Sequence, residues 1–369
     1  MKVLFVATVM LHFKAFHLPY MKWFQDKGWE VHVAANGDLN LPYYDKKHIL
    51  PIERSPYSVK NIGAYKQLKE LLKREKYDII HCHTPMGSVL SRLANNATKS
   101  ETGTKLIYTA HGFHFYKGGP FKDWVLYYPV ERFLARYTDR LITINKEDYN
   151  LAQKFNAKKV EYIPGIGLDT EVFNHINIDI YSKRLEIGVP NDAIMLLSVG
   201  ELGSRKNHEV AIRALAKAEH KNLYYVICGS GDLEQYLKNL SKELGVSDKI
   251  LFLGFRKDIA ELIKCADIYV FPSQREGLGI AALEGMAGGL PLISSYINGI
   301  RDYTVNGETG FCLEPYDVDG FSKAMDKLAK DKDLREIIGK NNVEVASKFD
   351  TRNVKKIMAR IYTEVMETA

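Results

Sequence analysis

Two rounds of one alternation, one in each half of the chain, constrain its fold more than any other feature. Short runs rich in Val, Ile and Leu are separated by longer amphipathic stretches, the pattern of βα units on a parallel sheet. In the first half the expected strands are Val3–Thr8, Glu30–Ala35, Asp78–His81, Lys105–Ala110 and Arg140–Ile144, with helical patterns such as His17–Lys27 and Asn61–Glu75 between them. The alternation restarts at Ile194–Gly200 and runs through Asn222–Gly229, Lys249–Leu253, Asp267–Phe271 and Pro291–Ser294. Helical stretches such as Glu209–Ala218 and Asp232–Leu244 again intervene. Two successive sets imply an α/β chain of two doubly wound domains, and 369 residues suit two cores better than one. The Pro- and Gly-punctuated segment Ile163–Asp169 marks the break, giving domains of 1–165 and 166–350. A last helix, Thr351–Glu367 within a segment 351–369, has no strand after it and is expected to cross back to the first domain.

Composition narrows the function classes. With 46% hydrophobic and 26% charged residues the chain reads as globular, and no apolar run approaches the roughly 20 residues of a membrane-spanning helix. The brief apolar start, Met1–Ala7, reads as a buried strand and not a signal peptide, since no small-residue cleavage site follows it. Cys82, Cys228, Cys265 and Cys312 form no CxxC pair and are expected to be buried free thiols of a cytoplasmic protein. Residues 1–170 carry 25 Lys and Arg against 16 Asp and Glu, whereas the remainder carries 26 against 29. A basic first half points to an anionic partner. Nucleic acid is not expected, because the basic residues are dispersed and no nucleic-acid motif is present. Lipid headgroups or a phosphorylated acceptor remain.

The most informative stretch runs from Phe271 to Ala287. A strand ends at Phe271, a loop carries Glu276 and Gly277, and a helix is expected to start near Leu278–Gly279. Glycines let a ligand approach the backbone, and the unpaired N–H groups at a helix start suit a diphosphate. Glu284, about six residues or roughly 9 Å further on, is placed to bind ribose hydroxyls. Glu276 is placed to bind hydroxyls of a transferred sugar. A helix cap at Glu276 and a surface ion pair at Glu284 are the bland alternative.

Glu276-x7-Glu284 within Pro272-Ser273-x-x-Glu276-Gly277-Leu278-Gly279 resembles the signature of family-4 retaining glycosyltransferases of the GT-B fold. The likeness extends through Gly288–Ile293 and Val305–Phe311, and to Ile163–Phe173, which is similar to the family's Pro-Asn-Gly-Val-Asp-x-x-x-Phe segment with one residue inserted. It implies two Rossmann-like domains facing across a cleft, the first for the acceptor and the second for a nucleotide-sugar. UDP is the expected nucleotide by family frequency.

Arg205 and Lys206, in Gly200–His208 between a strand and a helix, are assigned to the donor phosphates; solvated loop charges are the alternative. Ser204 is expected to cap that helix and to put both cations in its first turn, which a bound anion would favour. Relatives usually carry Arg where this chain has Glu201, and Lys206 matches the family lysine. Gly254-Phe255-Arg256 resembles the family's base-binding loop, with Arg256 as an exposed charge the other reading. The turn Gly229-Ser230-Gly231-Asp232 lacks the third glycine of a dinucleotide fingerprint.

On the acceptor side, His111 follows an expected strand end and matches the family histidine that approaches the donor sugar; a core histidine is the alternative. His17, His114, Tyr116 and Lys117 are further acceptor-side candidates. The segment Lys117–Tyr137 interleaves aromatic and basic residues, reading either as a helix with a buried face or as a surface for a lipid-diphosphate acceptor. His111–Tyr116 resembles bacterial capsule and exopolysaccharide glycosyltransferases, which implies an undecaprenyl-diphosphate-linked acceptor and a peripheral position on the inner face of the membrane. The Gly-Gly loop that family members often carry after their first strand is replaced by Thr8–His17. His81 and His83 share a strand face, but no further ligand is evident, so no metal is expected; the resemblance implies a reaction without metal or other cofactor. Asp317/Asp319 and Asp331/Asp333 read as caps and solvated charges. Two rivals remain, a nicotinamide-dependent oxidoreductase and a non-catalytic GT-B subunit of another transferase.

Overall fold

Thirteen strands in two sheets carry the architecture in the computed structural model, which describes residues 1–173 and 175–367. The last two residues of the segment 351–369 lie outside the described residues. The chain divides into two units, Met1–Ile166 with the chain from Arg352 onward, and Gly167–Thr351.

In the first unit the strands are β1 (Lys2–Val9), β2 (Glu30–Asn36), β3 (Lys46–Ile49), β4 (Ile79–His83), β5 (Lys105–Ala110), β6 (Arg140–Thr143) and β7 (Val160–Tyr162). All pair in parallel in the order β3-β2-β1-β4-β5-β6-β7. The helices are α1 (Met10–Phe16), α2 (Leu18–Asp26), α3 (Lys60–Glu75), α4 (Pro85–Thr102), α5 (Phe121–Ala135) and α6 (Lys146–Ala152). Near-continuous apolar strands such as β1, whose interior residues are all buried, are what a sheet covered on both faces requires.

In the second unit, α7 (Ile180–Ile187) precedes β8 (Ile194–Val199), which is followed by α8 (His208–Lys217), β9 (Leu223–Cys228), α9 (Glu234–Glu243) and β10 (Ile250–Gly254). Then come α10 (Ile259–Cys265), β11 (Ile268–Phe271), α11 (Ile280–Ala287), β12 (Leu292–Ser295) and β13 (Gly310–Leu313), and finally α12 (Val318–Lys330) and α13 (Lys332–Ser347). The six strands are parallel in the order β10-β9-β8-β11-β12-β13. Each sheet therefore starts at an inner strand, winds outward, and then reverses on that strand's other side, between β1 and β4 and between β8 and β11. Loops leaving the carboxyl ends of strands at such a reversal splay apart and leave a crevice, where ligands of this architecture bind.

The last helix, α14 (Thr351–Glu367), packs in the first unit. Val354, Met358, Ile361, Tyr362 and Val365 recur on one helical face and are buried, each contributing on the order of 1.5–3 kcal/mol relative to exposure. Tyr362 lies against Phe24 and donates or accepts a 2.7 Å hydrogen bond at Nδ1 of His81. The four cysteines are free, and Asp317 and Asp331 cap α12 and α13 through Gly320 N and Leu334 N.

Candidate functional site

The second unit's reversal point is built from two loops, one after β8 and one after β11. Gly200, Gly229 and Gly254 end or follow β8, β9 and β10, and Gly229 N donates to Gly254 O at 2.8 Å. Gly229 has φ +151°, and a Cβ there would stand 1.9 Å from Gly200 O, so the three strand ends close together only with glycine. Gln274 N donates to Arg205 O at 2.8 Å and ties the β11 loop to the β8 loop.

At that junction Glu276, 8% exposed, meets both cations that the sequence singled out. Its Oε1 accepts from Lys206 Nζ at 2.6 Å and Ser273 Oγ at 3.0 Å, and its Oε2 accepts from Arg205 Nη1 at 3.3 Å. Lys206 Nζ also lies 4.7 Å over the Phe271 ring, while its methylenes cover Gly200. Arg205 is half-exposed. The three charges thus hold one another at the crevice in charge-assisted hydrogen bonds.

Two local expectations are corrected. Ser204 does not cap α8: Ser204–Lys206 form a 3-10 turn, and α8 starts at His208 after Asn207. Asn207 sits at φ 56° and sends Nδ2 to Pro272 O and Pro315 O at 3.0 and 2.6 Å, so its left-handed conformation breaks the chain direction where the cap was expected. Arg205 and Lys206 accordingly precede the helix. The second correction concerns α11, which starts at Ile280, so Glu284 is one turn in, about 6 Å along the axis and not 9 Å.

Gly279 precedes α11 at φ +85°, and no side chain caps the helix. A Cβ on Gly279 would stand 2.8 Å from Phe271 and 2.9 Å from the Tyr303 hydroxyl. The Leu278 side chain is buried and its carbonyl accepts from Tyr303 Oη at 2.9 Å. Gly277 precedes it, half-buried. Glu284 is half-buried, and burial raises its carboxyl above the ordinary carboxylate range. Phe255, following Gly254, is 77% exposed. Arg256 is held by Asp258 at 2.8 and 2.5 Å and Glu186 at 3.2 Å, which raises its guanidinium pKa further and fixes the loop.

In the first unit, His111 follows β5 and is half-buried. Its Nε2 lies 3.3 Å from Nε2 of His12 on α1 and 3.4 Å from Nδ1 of His83 at the end of β4. His17, 2% exposed, stacks on His83 with ring centroids 3.7 Å apart. Burial lowers all four imidazole pKa values, that of His12 to about 4, with the neighbouring imidazoles lowering His17, His83 and His111 further. The cluster is therefore uncharged near neutral pH. The expectation that His83 has no further ligand-bearing neighbour is corrected: topology, invisible in a local motif, brings His12, His17 and His111 to it. His81 lies beside His83, with ring centroids 4.1 Å apart, but both its nitrogens are already bonded, Nδ1 to Tyr362 and Nε2 to Thr109 Oγ1 at 2.8 Å.

Beside the cluster lies a cavity of about 630 Å³ lined by Thr8, His12, Arg54, Tyr57, Thr84, His114, Tyr127, Val130 and Glu131, among others. Glu131 accepts from Arg92 Nη1 at 2.8 Å, and the fully buried Arg92 lies 4.5 Å from the Tyr108 ring. His114 packs on Tyr127 in the cavity wall. Tyr116 accepts from Trp124 Nε1 through its carbonyl, and Lys117 is exposed; neither lines the cavity. His17 is enclosed in the cluster and not presented to an acceptor surface. On α5, Trp124 and Tyr128 pack on the core, while Phe121, Val125, Leu126, Val130 and Phe133 are exposed among Lys122, Arg132 and Arg136. Arg54, Arg92 and Glu131 escaped the sequence reading; a lone Arg in an amphipathic helix carries no local signal that its partner lies on another.

Residues 180–345 match the family model described as glycosyl transferases group 1, and residues 2–145 match that described as glycosyl transferase 4-like. The chain is 44% identical to EpsD of Bacillus subtilis, a protein assigned as a glycosyltransferase, over 99% of this chain and 97% of that one. It is 33% identical to the UDP-Gal:alpha-D-GlcNAc-diphosphoundecaprenol alpha-1,3-galactosyltransferase of Escherichia coli, over 78% of this chain and 76% of that one. Among solved structures it is similar to Anabaena HepE in complex with UDP, with a TM-score of 0.82 and 20% identity over 99% of this chain and 100% of that one.

Proposed function

The chain belongs to the group 1 and 4-like glycosyltransferases of the GT-B fold, and from that premise we propose that it moves a hexose or N-acetylhexosamine from a UDP-sugar, with retention, to a lipid-diphosphate-linked saccharide in bacterial surface-polysaccharide synthesis. The observation that carries this reading is the Arg205–Lys206–Glu276 junction at the reversal point, beside the uncapped glycine-led start of α11. The diphosphate lies against Gly277–Gly279 and the first turn of α11, the ribose reaches Glu284, and the base stacks on Phe255 beside the Gly254 backbone. Arg256 then acts by holding that loop. Membership in this family leaves no place for the nicotinamide reading.

Transfer breaks the bond between the anomeric carbon and the UDP oxygen, and the acceptor hydroxyl bonds the same carbon on the same face. Its proton passes to the departing phosphate. Lys206, Arg205 and the helix-start N–H groups stabilise the charge that grows on the leaving diphosphate. Glu276, freed from the cations by the phosphate, holds hydroxyls of the transferred sugar, and His111 supports the reacting centre through a neutral ring nitrogen. No divalent cation enters this scheme.

The acceptor enters the first unit's cavity, whose mouth offers Arg54 to a phosphate and whose walls offer His114 and Tyr127. The mixed apolar and basic surface of α5, continued by Lys117, suits a peripheral position at an anionic membrane. No helix among the described residues is long and apolar enough to cross a membrane. The E. coli relative acts, by its name, on a diphosphoundecaprenol-linked sugar, which supports a substrate of that class here.

The test uses the purified chain with UDP-, GDP- and ADP-sugars and a lipid-diphosphate acceptor. A UDP-sugar is expected to raise Tm, because a bound donor stabilises the folded state by RT ln(1 + [L]/Kd). Transfer by the chain alone excludes a non-catalytic subunit. His111→Ala is expected to keep the shift while transfer falls about 100-fold. Unchanged transfer in that variant removes His111 from the reaction, and a shift with GDP- or ADP-sugars alone rejects UDP.

A further inference from the structure

Four histidines of the first unit converge although they come from three separate stretches of chain. His12 and His17 follow β1, His83 ends β4, and His111 follows β5, so the β1-β4-β5 order delivers all of them to the carboxyl end of the sheet's central strands. One ring nitrogen from each lies within 4.8 Å of the others. His111 Nε2 is 3.3 Å from His12 Nε2 and 3.4 Å from His83 Nδ1. A tetrahedral ion with nitrogen ligands at about 2.0–2.1 Å keeps those nitrogens about 3.3–3.4 Å apart, the edge being about 1.63 bond lengths. Two edges of the polyhedron are thus already in place.

Hydrogen bonding within the cluster, limited to the His111 contacts with His12 and His83, accounts for only part of it. Both ring nitrogens of His17, and Nε2 of His83, are buried without a hydrogen-bond partner among the described residues. Burying such groups unpaired is costly, which marks the cluster as built for more than packing. Every candidate ligand is an imidazole nitrogen, a set suited to Zn²⁺, Cu²⁺ or Ni²⁺ and unsuited to Mg²⁺ or Ca²⁺, which favour oxygen. His12 and His111 are half-buried, leaving an approach from their side, and His12 lines the adjacent cavity.

We propose that His12, His17, His83 and His111 form a transition-metal site that binds Zn²⁺. For all four nitrogens to reach bonding distance, the His17 and His83 rings, stacked 3.7 Å apart, must part so that each points its nitrogen at the ion. The site is separate from the diphosphate junction and does not depend on the transfer reading; it shares His111 with the proposed reacting centre, so a bound ion would compete with that role.

The test is direct binding to the metal-stripped full chain. Co²⁺ is expected to bind in one equivalent with the intense visible absorption of tetrahedral coordination, and one equivalent of Zn²⁺ is expected to displace it. His12→Ala and His111→Ala, each checked for native circular dichroism, should raise the Kd for Zn²⁺ about 100-fold. His175→Ala, at an exposed position, should leave it unchanged. Absence of the tetrahedral Co²⁺ spectrum from the wild-type chain overturns the proposal, as does Zn²⁺ affinity that stays the same in both folded cluster variants.

Discussion

Lys206→Met is expected to lower the transfer rate about 1000-fold and to raise the Kd for UDP about 100-fold, equivalent to about 2.7 kcal/mol. The substitution keeps an unbranched stem over Gly200 and against Phe271, where the Lys206 methylenes now pack, so the loss reports the charge and not a cavity. Two effects act in the same direction. The departing diphosphate loses the cation best placed to stabilise it, and Glu276 keeps only Arg205, half-exposed at 3.3 Å, in place of the 2.6 Å partner. An under-compensated carboxylate then stands beside the phosphate-binding helix start and repels its ligand. Calorimetric titration with UDP, alongside initial rates, reads both numbers. UDP binding as tight as that of the wild type would remove Lys206 from the donor site.

Glu276→Gln separates binding from turnover in the opposite sense. Transfer is expected to fall about 100- to 1000-fold, because the amide cannot replace a carboxylate that accepts from hydroxyls of the reacting sugar. UDP affinity is expected to hold or to rise, since in the free protein Glu276 and a phosphate compete for the same two cations. The amide still offers an oxygen to Ser273, and the Gln side chain fills the same volume, which limits the structural cost. A parallel loss of UDP binding and transfer would instead make Glu276 a scaffold for the loop. The contrasting signs of the Lys206 and Glu276 results at one ion pair are the signature of a donor site; a structural salt bridge would lose stability from either side and show no such contrast.

Most strands that the sequence reading found are buried on both sheet faces, where apolar runs are continuous; β10, at a sheet edge and only partly buried, is the exception. Three strands escaped it for physical reasons. β3, Lys-Lys-His-Ile at the sheet edge, is partly exposed and carries the charges that protect an edge from further pairing. β7 has three residues, and β13 opens on Gly310, where a Cβ would stand 1.8 Å from Leu292 O. The meeting of Arg205, Lys206 and Glu276 was legible because these residues and their glycines occur in two compact segments. The local cap was not, since Ser204 followed by two cations is an equally good sequence for a 3-10 turn, and Asn207 decides between them through its bonds to Pro272 and Pro315. The histidine cluster was the least legible, because its members are up to 99 positions apart and meet only through strand order. Histidines at the ends of several expected strands were the available signal.

A crystal of the chain grown with UDP tests the central claim most directly. The diphosphate is expected against the backbone of Gly277–Gly279 and the first turn of α11, with Lys206 turned from Glu276 to a phosphate oxygen and the ribose hydroxyls on Glu284. UDP bound away from that helix start, with the Lys206–Glu276 pair still closed, would contradict it.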